Sequence, residues 1–206
     1  MPDINCLFHI NQGEEEMKKM LLFITLSGFI LTIANGQDKL TADNSKTILS
    51  WLGEKVTGQH TGTVKLKSGW LIWKENKIIS GEFLIDMKTI VDTDSTPKLI
   101  GHLKSDDFFG VEKYQVAKLV IRGSDSFEKG SALTRGTLTI KDITHPIEFR
   151  ATMQKKDEGV WFFANIVVDR TKYNVRYGSG SFFDNLGDKT IYDEFKLKVS
   201  LLVRKL

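Results

Sequence analysis

Apolar and polar residues alternate along most of the chain after Lys46. In the last segment, the run from Phe195 to Val203 carries an apolar side chain at every second position, with mostly charged or small polar residues between. A period of two is typical of a β-strand with one buried face, and it does not fit a helix, whose period is 3.6 residues. The same alternation recurs from Ile79 to Met87 and from Ile147 to Met153. The pattern predicts a protein built mainly of β-strands.

Eight segments carry this pattern, and short turns separate several of them. The predicted strands cover residues 46–56, 62–74, 77–90, 117–124, 133–142, 145–156, 159–170 and 192–204. Turns such as 75–76 and 157–159 are short enough for antiparallel hairpins. Eight antiparallel strands with one apolar face can close into an up-and-down barrel, which has no free edges. We therefore predict an all-β, eight-stranded antiparallel barrel, with a β-sandwich as the main alternative.

One segment breaks the alternation. Leu99, Ile100 and Leu103 recur at spacings of one and four residues, which predicts a short helical insert near residues 97–105. Phe108 and Phe109 then extend its apolar edge. An insert of this kind must bury its apolar side on the sheet, and near the mouth of a barrel it is placed to gate the interior.

The strand predicted at 159–170 is apolar on both faces. Phe162 and Ile166 share one face, and the other face carries the apolar side chains of Trp161, Phe163 and Val167. A strand of this composition is expected to be covered on both sides. We predict that the helical insert or the N-terminal segment covers its outer face.

The first 36 residues differ in composition from the rest. Two lysines precede an apolar run over residues 20–33, and small residues follow up to Gly36, as in a secretory signal peptide. The run is short for a membrane-spanning helix, which needs about 20 residues, so a retained anchor is only the alternative. Met17 is the predicted start, because acidic residues precede it. We predict a leader over 1–36, with the signal peptide at 17–36, and one exported domain over 37–206, periplasmic or secreted.

The predicted mature domain is mildly basic and free of cysteine. The whole chain holds 29 Lys and Arg against 26 Asp and Glu, a net charge of +3. The leader holds two of the basic and four of the acidic residues, so the domain carries +5. This spread charge predicts no nucleic-acid binding, although it suits contact with an anionic membrane surface. Cys6, the only cysteine, lies in the leader, so the core must be stable without disulfides.

Chemistry-bearing residues show no arrangement typical of an enzyme. His60, His102 and His145 lack the spacing of a metal-ligand pair. The serines of 178–181 lack the strand, tight turn and helix that surround a catalytic serine of the nucleophile-elbow type. We therefore predict no catalytic residue, no metal site and no enzymatic activity.

Two stretches carry a family pattern: LIGHLKSDDFFGVEKY at 99–114 and GTLTIKDITHPIEF at 136–149. Together they resemble the YceI-like family of exported lipid-binding proteins, and the resemblance spans about residues 45–204. Gln115 stands where the family usually has proline, and Asp142 where glycine is common. The resemblance implies a lipocalin-like barrel whose long apolar tunnel holds a polyisoprenoid or other long-chain lipid without catalysis. It also allows a homodimer. Apart from this lipid, we expect no cofactor.

Within that resemblance, the candidate ligand-binding residues fall into two groups. The predicted walls of the tunnel are Trp73, Phe83, Phe108, Phe109, Leu138, Phe149, Phe162 and Phe163. Arg176 and Tyr177, after the doubly apolar strand, are candidates for binding a polar head group at the rim. An alternative for this polar run is a network of Asp169 and Arg170 that ties a long loop to the barrel. The alternative for the whole domain is an envelope interaction module with a solid core and no ligand.

Overall fold

Nine β-strands and one α-helix form the part of the chain that the structure, a computed structural model, describes: residues 36–205. The strands are β1 (Asp38–Ala42), β2 (Ile48–Lys55), β3 (Gly58–Lys74), β4 (Lys77–Asp92), β5 (Val116–Ser124), β6 (Ser131–Ile140), β7 (Ile143–Lys156), β8 (Gly159–Asp169) and β9 (Ile191–Lys205). The helix is α1 (Pro97–Lys104), and short 3-10 turns cover Arg170–Tyr173 and Gly187–Lys189. The predicted start at Met17 and the signal peptide at 17–36, apart from Gly36, lie outside the described residues.

These strands occupy eight positions of a closed antiparallel barrel. β1 and β2 follow one another in a single position between β3 and β9, since Thr41 of β1 pairs with Trp70 and Leu49 of β2 pairs with Val64. Both segments also pair with β9. The remaining neighbours follow chain order from β3 to β9. The predicted eight-stranded antiparallel barrel with a helical insert is therefore confirmed, and the β-sandwich alternative is wrong.

Two local features differ from the sequence prediction. The five residues of β1 contain little alternation and were not predicted as a strand. The alternation predicts Ile79 on the same face as Phe83, but Ile79 is 38% exposed, whereas Ile78 is 5% exposed and lies inside. The pairing explains this difference, because β3 and β4 shift register here and leave Ile79 as an unpaired bulge residue. A bulge reverses the alternation of the faces.

The chain direction gives the barrel two distinct ends. The hairpin end carries the β3–β4, β5–β6 and β7–β8 turns. The helix end carries α1, the segment over 105–115, the β6–β7 turn and the loop over 170–190. Pro97 occupies the first turn of α1, where its missing N–H costs nothing. Leu103 is the buried residue of α1, which packs against β4.

The outer face of β8 is less covered than predicted. Trp161 and Phe163 are half-buried and their rings stack 5.9 Å apart, but Val167 is 51% exposed. Because α1 packs against β4, it does not cover β8, and that prediction is wrong. The N-terminal segment comes closer, since Lys46 pairs at 2.6 Å with Glu158, which also accepts a hydrogen bond from the Trp161 indole. Among the described residues, the stacked Trp161 and Phe163 rings therefore shield each other on this outer face.

Candidate functional site

Two cavities lie end to end inside the barrel. The hairpin-side cavity has a volume of about 90 Å³, and the helix-side cavity has a volume of about 120 Å³. The residues that line both cavities are Ile85, Leu138, Val168 and Leu197. Along β9 the lining runs from Ile191 to Leu201, roughly 33 Å at about 3.3 Å per residue. The two cavities thus form one elongated apolar space along the barrel.

The cavity walls are almost entirely hydrocarbon. The hairpin-side cavity is lined by Leu, Ile, Val, Ala and Phe residues and by one hydroxyl-bearing residue, Thr134. The helix-side cavity is also mostly apolar, but Arg170, Tyr192 and Glu194 border it. Ligand sites usually combine apolar walls with a few polar groups. These walls suit a long hydrocarbon chain better than a polar molecule.

An aromatic cluster closes the hairpin end, and we call it the plug. It consists of Trp73 on β3, Phe127 in the β5–β6 turn and Phe162 on β8, with ring centroids 5.5 to 5.9 Å apart. Phe127 is only 2% exposed, and its backbone N–H donates to the Asn76 carbonyl at 2.8 Å. Aromatic pairs at such distances stabilise a core beyond the area they bury. The plug therefore seals this end of the cavity with hydrocarbon.

The segment that follows α1 closes the helix end. Phe108 and Phe109 are 7% and 8% exposed and line the helix-side cavity together with Leu103. Their rings meet edge to face at 5.0 Å, and Phe109 also faces Phe195 at 6.4 Å. The turn that reverses the chain ends at Gly110, whose φ of 56° is left-handed. The apolar edge predicted at 99–109 thus faces the interior as expected.

A single ammonium group ties two segments of the helix end together. Lys141, in the β6–β7 turn, donates to the backbone carbonyls of Asp106 at 3.2 Å, Phe108 at 2.9 Å and Asn174 at 3.4 Å. The first two carbonyls belong to the segment after α1, and the third belongs to the loop over 170–190. Lys141 therefore holds both covering segments against the same barrel turn.

Arg170, whose side chain is buried, also holds a covering segment in place. Its guanidinium is almost fully buried and donates to the carbonyls of Val175 at 2.7 Å, Ile191 at 3.0 Å and Tyr192 at 3.0 Å. It also lies 3.6 Å from the carboxylate of Asp193 and 5.7 Å from the centre of the Phe108 ring. These contacts connect the loop over 170–190 to the start of β9.

The acidic partner in this network is Asp193 and not Asp169. The Asp169 carboxylate instead accepts hydrogen bonds from the backbone and hydroxyl of Thr171. Burial alone would raise the pKa of Asp193, but hydrogen bonds from the Ser179 and Ser181 hydroxyls and the charge of Arg170 hold that pKa below its usual value. The loop is tied to the barrel as the sequence alternative proposed, but through a different carboxylate.

Most of the predicted wall residues lie along the elongated space. The predicted residues with side chains on the inner face and lining a cavity are Phe83, Phe108, Phe109, Leu138, Phe149 and Phe162. Trp73 instead belongs to the plug. Phe163 borders the hairpin-side cavity between Phe162 and Ala164, but its ring stacks on Trp161 at the outer face. Whether each residue touches a ligand stays a prediction.

The two predicted head-group residues lie apart from the cavities. The Arg176 guanidinium lies over the Phe182 ring at 4.4 Å. Tyr177 is 49% exposed, and its ring meets the His102 ring at 4.3 Å. Neither residue lines the hairpin-side or the helix-side cavity. Their anchoring role stays a prediction that this placement does not favour.

Sequence reasoning missed three residues of the site. Phe127 stands alone in a polar turn, and an isolated phenylalanine there was the available signal. Thr134 shares the period-two face of Leu138 and Ile140, so its inward position was accessible from the alternation. No local pattern distinguishes Lys141, because its partners come from distant segments.

The described residues, 36–205, also bear on membrane-spanning helices and metal sites. Across that range no helix is both long and apolar enough to cross a membrane. Nor do three or more His, Cys, Asp or Glu side chains of that range come together as a candidate metal site. The sequence predictions of no metal and no catalytic residue stay predictions.

Comparison with known proteins identifies relatives of this chain. A UPF0312 protein of Pseudomonas putida strain W619 is 30% identical over 100 residues, which cover 48% of this chain and 52% of that protein. The chain therefore aligns with about half the length of this curated relative.

Two solved structures share the fold. BcnA of Burkholderia cenocepacia matches with a TM-score of 0.64 at 19% identity, covering 80% of this chain and 99% of that one. A polyisoprenoid binding domain from Saccharophagus degradans, implicated in plant cell wall breakdown, matches with a TM-score of 0.64 at 14% identity, covering 83% and 100%. The family model described as the YceI-like domain matches residues 40–203. With nearly the whole barrel inside that match, this chain belongs to the YceI-like family.

Proposed function

We propose that this chain binds a long-chain lipid of the polyisoprenoid class inside the barrel and holds it without chemical change. The observation that carries the proposal is the elongated apolar space formed by the two adjoining cavities. Tilted by about 40° in a barrel, the roughly 33 Å of β9 that line it correspond to roughly 25 Å along the axis. A long, narrow hydrocarbon chain fits such a space. The polyisoprenoid binding domain that shares the fold supports this class of ligand.

The alternative function was an envelope interaction module with a solid core. Cavities of about 90 and 120 Å³ favour the lipid-binding protein, since each has room for several water molecules at about 10–15 Å³ apiece. Packed interiors contain few voids larger than one water. Empty apolar space of this size costs stability unless a ligand uses it.

The helix end is the proposed entrance. Tyr192 and Glu194 are exposed and border the helix-side cavity, as does Gly53 beside an irregularity in the β2–β9 pairing. The aromatic residues exposed by 44–50% nearby in the chain are Tyr177, Phe182, Phe183 and Tyr192. Exposed Lys172, Arg176 and Lys189 outnumber exposed Asp184 and Asp188 in the same loop. Aromatic and basic residues together suit contact with an anionic membrane surface, from which the lipid enters.

The carrier is proposed to act outside the cytoplasm. The basic and apolar pattern of residues 17–36 supports export with cleavage near Gly36. N-terminal sequencing of the exported protein is expected to begin near Gln37, and a sequence that retains residues before Met17 would contradict the predicted start. Size-exclusion chromatography of the same material tests the homodimer, which stays a prediction.

Native mass spectrometry of gently purified protein tests lipid binding. The expected result is an added mass of several hundred daltons that organic extraction removes. Ala164→Phe fills the hairpin-side cavity, and Val167→Phe adds the same ring to the exposed face of the same strand. We expect the first variant to lose the added mass and the second to keep it, with both folded by circular dichroism. Wild-type protein that is empty across several preparations and takes up no added polyisoprenoid contradicts the proposal.

A further inference from the structure

β7 and β8 pair with each other along only part of their length. The ladder that starts at their hairpin turn ends at Ala151 and Ala164. Beyond that point, residues 146–150 of β7 pair with β6 and residues 165–169 of β8 pair with β9. Among the described residues, the backbones of these two stretches are not hydrogen-bonded to each other. We call this unpaired line in the barrel wall the seam.

Side chains, and not a hydrogen-bonded ladder, form the cavity wall along the seam. Ile147 and Phe149 of β7 and Ile166 of β8 line the hairpin-side cavity from the two sides of the seam. Phe163, next to the end of the ladder, borders the same cavity although its ring stacks on Trp161 at the outer face. Parting a paired section of the wall breaks backbone hydrogen bonds, whereas parting the seam moves only side chains. The wall therefore opens along the seam at low cost.

The outer face of β8 is apolar beside the seam. Trp161 and Phe163 are half-buried and Val167 is 51% exposed, where the outside of an antiparallel strand usually carries polar residues. The inner face of the same strand is apolar as well. Hydrocarbon that crosses the seam therefore meets apolar surface on both sides, which lowers its exposure to water on the way.

The β7 edge of the seam is poorly suited to pairing with a strand of another protein. Pro146 lacks a backbone N–H, and Glu148 and Arg150 are exposed and charged. Proline and charged side chains protect edge strands against such pairing. The seam favours instead a molecule that needs no backbone hydrogen bonds, and a hydrocarbon chain is such a molecule.

Contacts of the loop over 170–190 close the seam at the helix end. The His145 Nε2 lies 3.0 Å from the Lys172 carbonyl oxygen, and Lys141 donates to the Asn174 carbonyl at 3.4 Å. Both contacts join the start of β7 or the turn before it to this loop. When the loop moves away, an opening at the helix end continues into the seam.

We propose that the lipid enters and leaves the barrel sideways, with its chain passing through the seam once the loop over 170–190 has moved. This inference rests on the proposed lipid-binding function and specifies the route that the ligand takes. The seam is five residues long, or roughly 16 Å at about 3.3 Å per residue. Sideways passage parts side chains over this length, so the chain is not threaded end-on through a narrow opening. The apolar outer face of β8 makes the first contact with it.

A cross-link over the seam tests this route. In a Cys6→Ser background, which removes the only cysteine, Glu148→Cys and Val167→Cys place thiols on the outer faces of β7 and β8. A short bismaleimide joins them, and intact mass spectrometry verifies the product. Stopped-flow fluorescence with cis-parinaric acid, a fluorescent chain without an attached dye, measures association and release. We expect the cross-link to slow both rates at least about tenfold and to leave the affinity unchanged, because it raises only the barrier.

The matched control is a cross-link between Arg135→Cys and Glu148→Cys, which are direct partners in the intact β6–β7 ladder. Both double variants lose the ion pair between Arg135 and Glu148, so only the position of the cross-link differs. The control is expected to keep the rates of the protein without a cross-link. Equal rates in the two cross-linked proteins would overturn the inference and leave end-on entry, with lipid binding intact. If the protein without a cross-link takes up neither cis-parinaric acid nor geranylgeraniol, the proposed lipid binding fails as well.

A second variant tests the seam without any cross-link. Phe163→Ala removes the ring beside the end of the ladder, and association and release are expected to accelerate together roughly three- to tenfold, the equivalent of one aromatic pair. Val91→Ala, on the exposed outer face of β4, is expected to change neither rate. Unchanged rates in Phe163→Ala would contradict passage through the seam.

Discussion

The two ends of the barrel are closed by different kinds of interaction. At the hairpin end, the Trp73 and Phe162 rings pack around the buried Phe127 ring. At the helix end, Lys141 and Arg170 hold the covering segments chiefly through backbone carbonyls. Opening the plug exposes aromatic surface to water, at a cost of about 25 cal/mol per Å². Opening the helix end breaks hydrogen bonds of two charged donors, worth about 1.5–3 kcal/mol each, and moves Phe108 and Phe109 out of the cavity wall. We expect the helix end to open because exposed Tyr192 and Glu194 already border its cavity, whereas no comparably exposed residue borders the hairpin-side cavity.

The largest expected effect comes from breaking the plug. Phe127→Ala removes its central ring, and we expect the free energy of unfolding to fall by about 3–5 kcal/mol, as for other buried phenylalanines. Urea unfolding followed by tryptophan fluorescence measures this loss. The exposed Phe183 provides a control, because Phe183→Ala is expected to change the free energy of unfolding by less than about 0.5 kcal/mol. Equal losses in both variants would show that the plug is not a stabilising cluster.

A smaller effect is expected from Arg170 at the other end. Arg170→Met leaves three carbonyls without their donor and Asp193 without its ion-pair partner. Since the Asp193 side chain is 26% exposed, water partly replaces the lost partner. We expect a loss of about 2–3 kcal/mol in the free energy of unfolding, below the 3–5 typical of a fully buried pair.

Hydrogen exchange locates this second effect. In Arg170→Met, amides of the loop over 170–190 are expected to exchange faster, while those of the β3–β4 hairpin keep their protection. Arg176→Met, at an exposed arginine of the same loop, is the control. Faster exchange at both ends of the barrel would contradict the separation between them.

A substitution of Lys141 tests whether the helix end controls the passage of lipid into and out of the cavity. Lys141→Met removes three hydrogen bonds to the covering segments but keeps the aliphatic stem. We expect release of a bound fluorescent lipid to accelerate roughly five- to tenfold, because holding the end closed loses about 1 kcal/mol or slightly more. Stopped-flow displacement measures the rate. An unchanged rate, with Lys118→Met on the outside of β5 as reference, would mean that the ligand leaves by another route.

The smallest expected effect is a loss of stability of the loop over 170–190 at acid pH. The pKa of Asp193 is lowered in the folded protein. The ionised carboxylate therefore stabilises the loop at pH values above the ordinary carboxyl pKa of 3.8. This contribution is lost as pH falls from about 5 through the lowered pKa. Protection of the amides over 174–190 is expected to decrease in that window. Asp193→Asn is expected to show weaker protection at neutral pH and no such decrease.

The barrel was predictable because the strands other than β1 carry their own alternation, and the helix because its apolar spacing differs from that of the strands. The site was less predictable, since its key contacts join distant parts of the chain. Phe127 lies in a turn, where no periodicity indicates burial. Phe162 and Phe163 are adjacent, so alternation allows only one ring inside, and the stacking of Phe163 on Trp161 shows which one. Two of the three carbonyls that accept hydrogen bonds from Arg170 are about 20 residues away, which no local pattern reveals.

The pairing that closes the barrel has a consequence for how the protein folds. The hydrogen bond from the Leu202 N–H to the Thr47 hydroxyl joins residues 155 positions apart, next to the pairing of β9 with β1 and β2. Contacts of such separation carry a large loop-closure entropy and slow the folding of β proteins. Before β9 pairs, the apolar inner face belongs to an open sheet with two free edges. Docking of the last strand therefore completes the fold and creates the cavity in the same step, and chains delayed before it are the ones most exposed to aggregation.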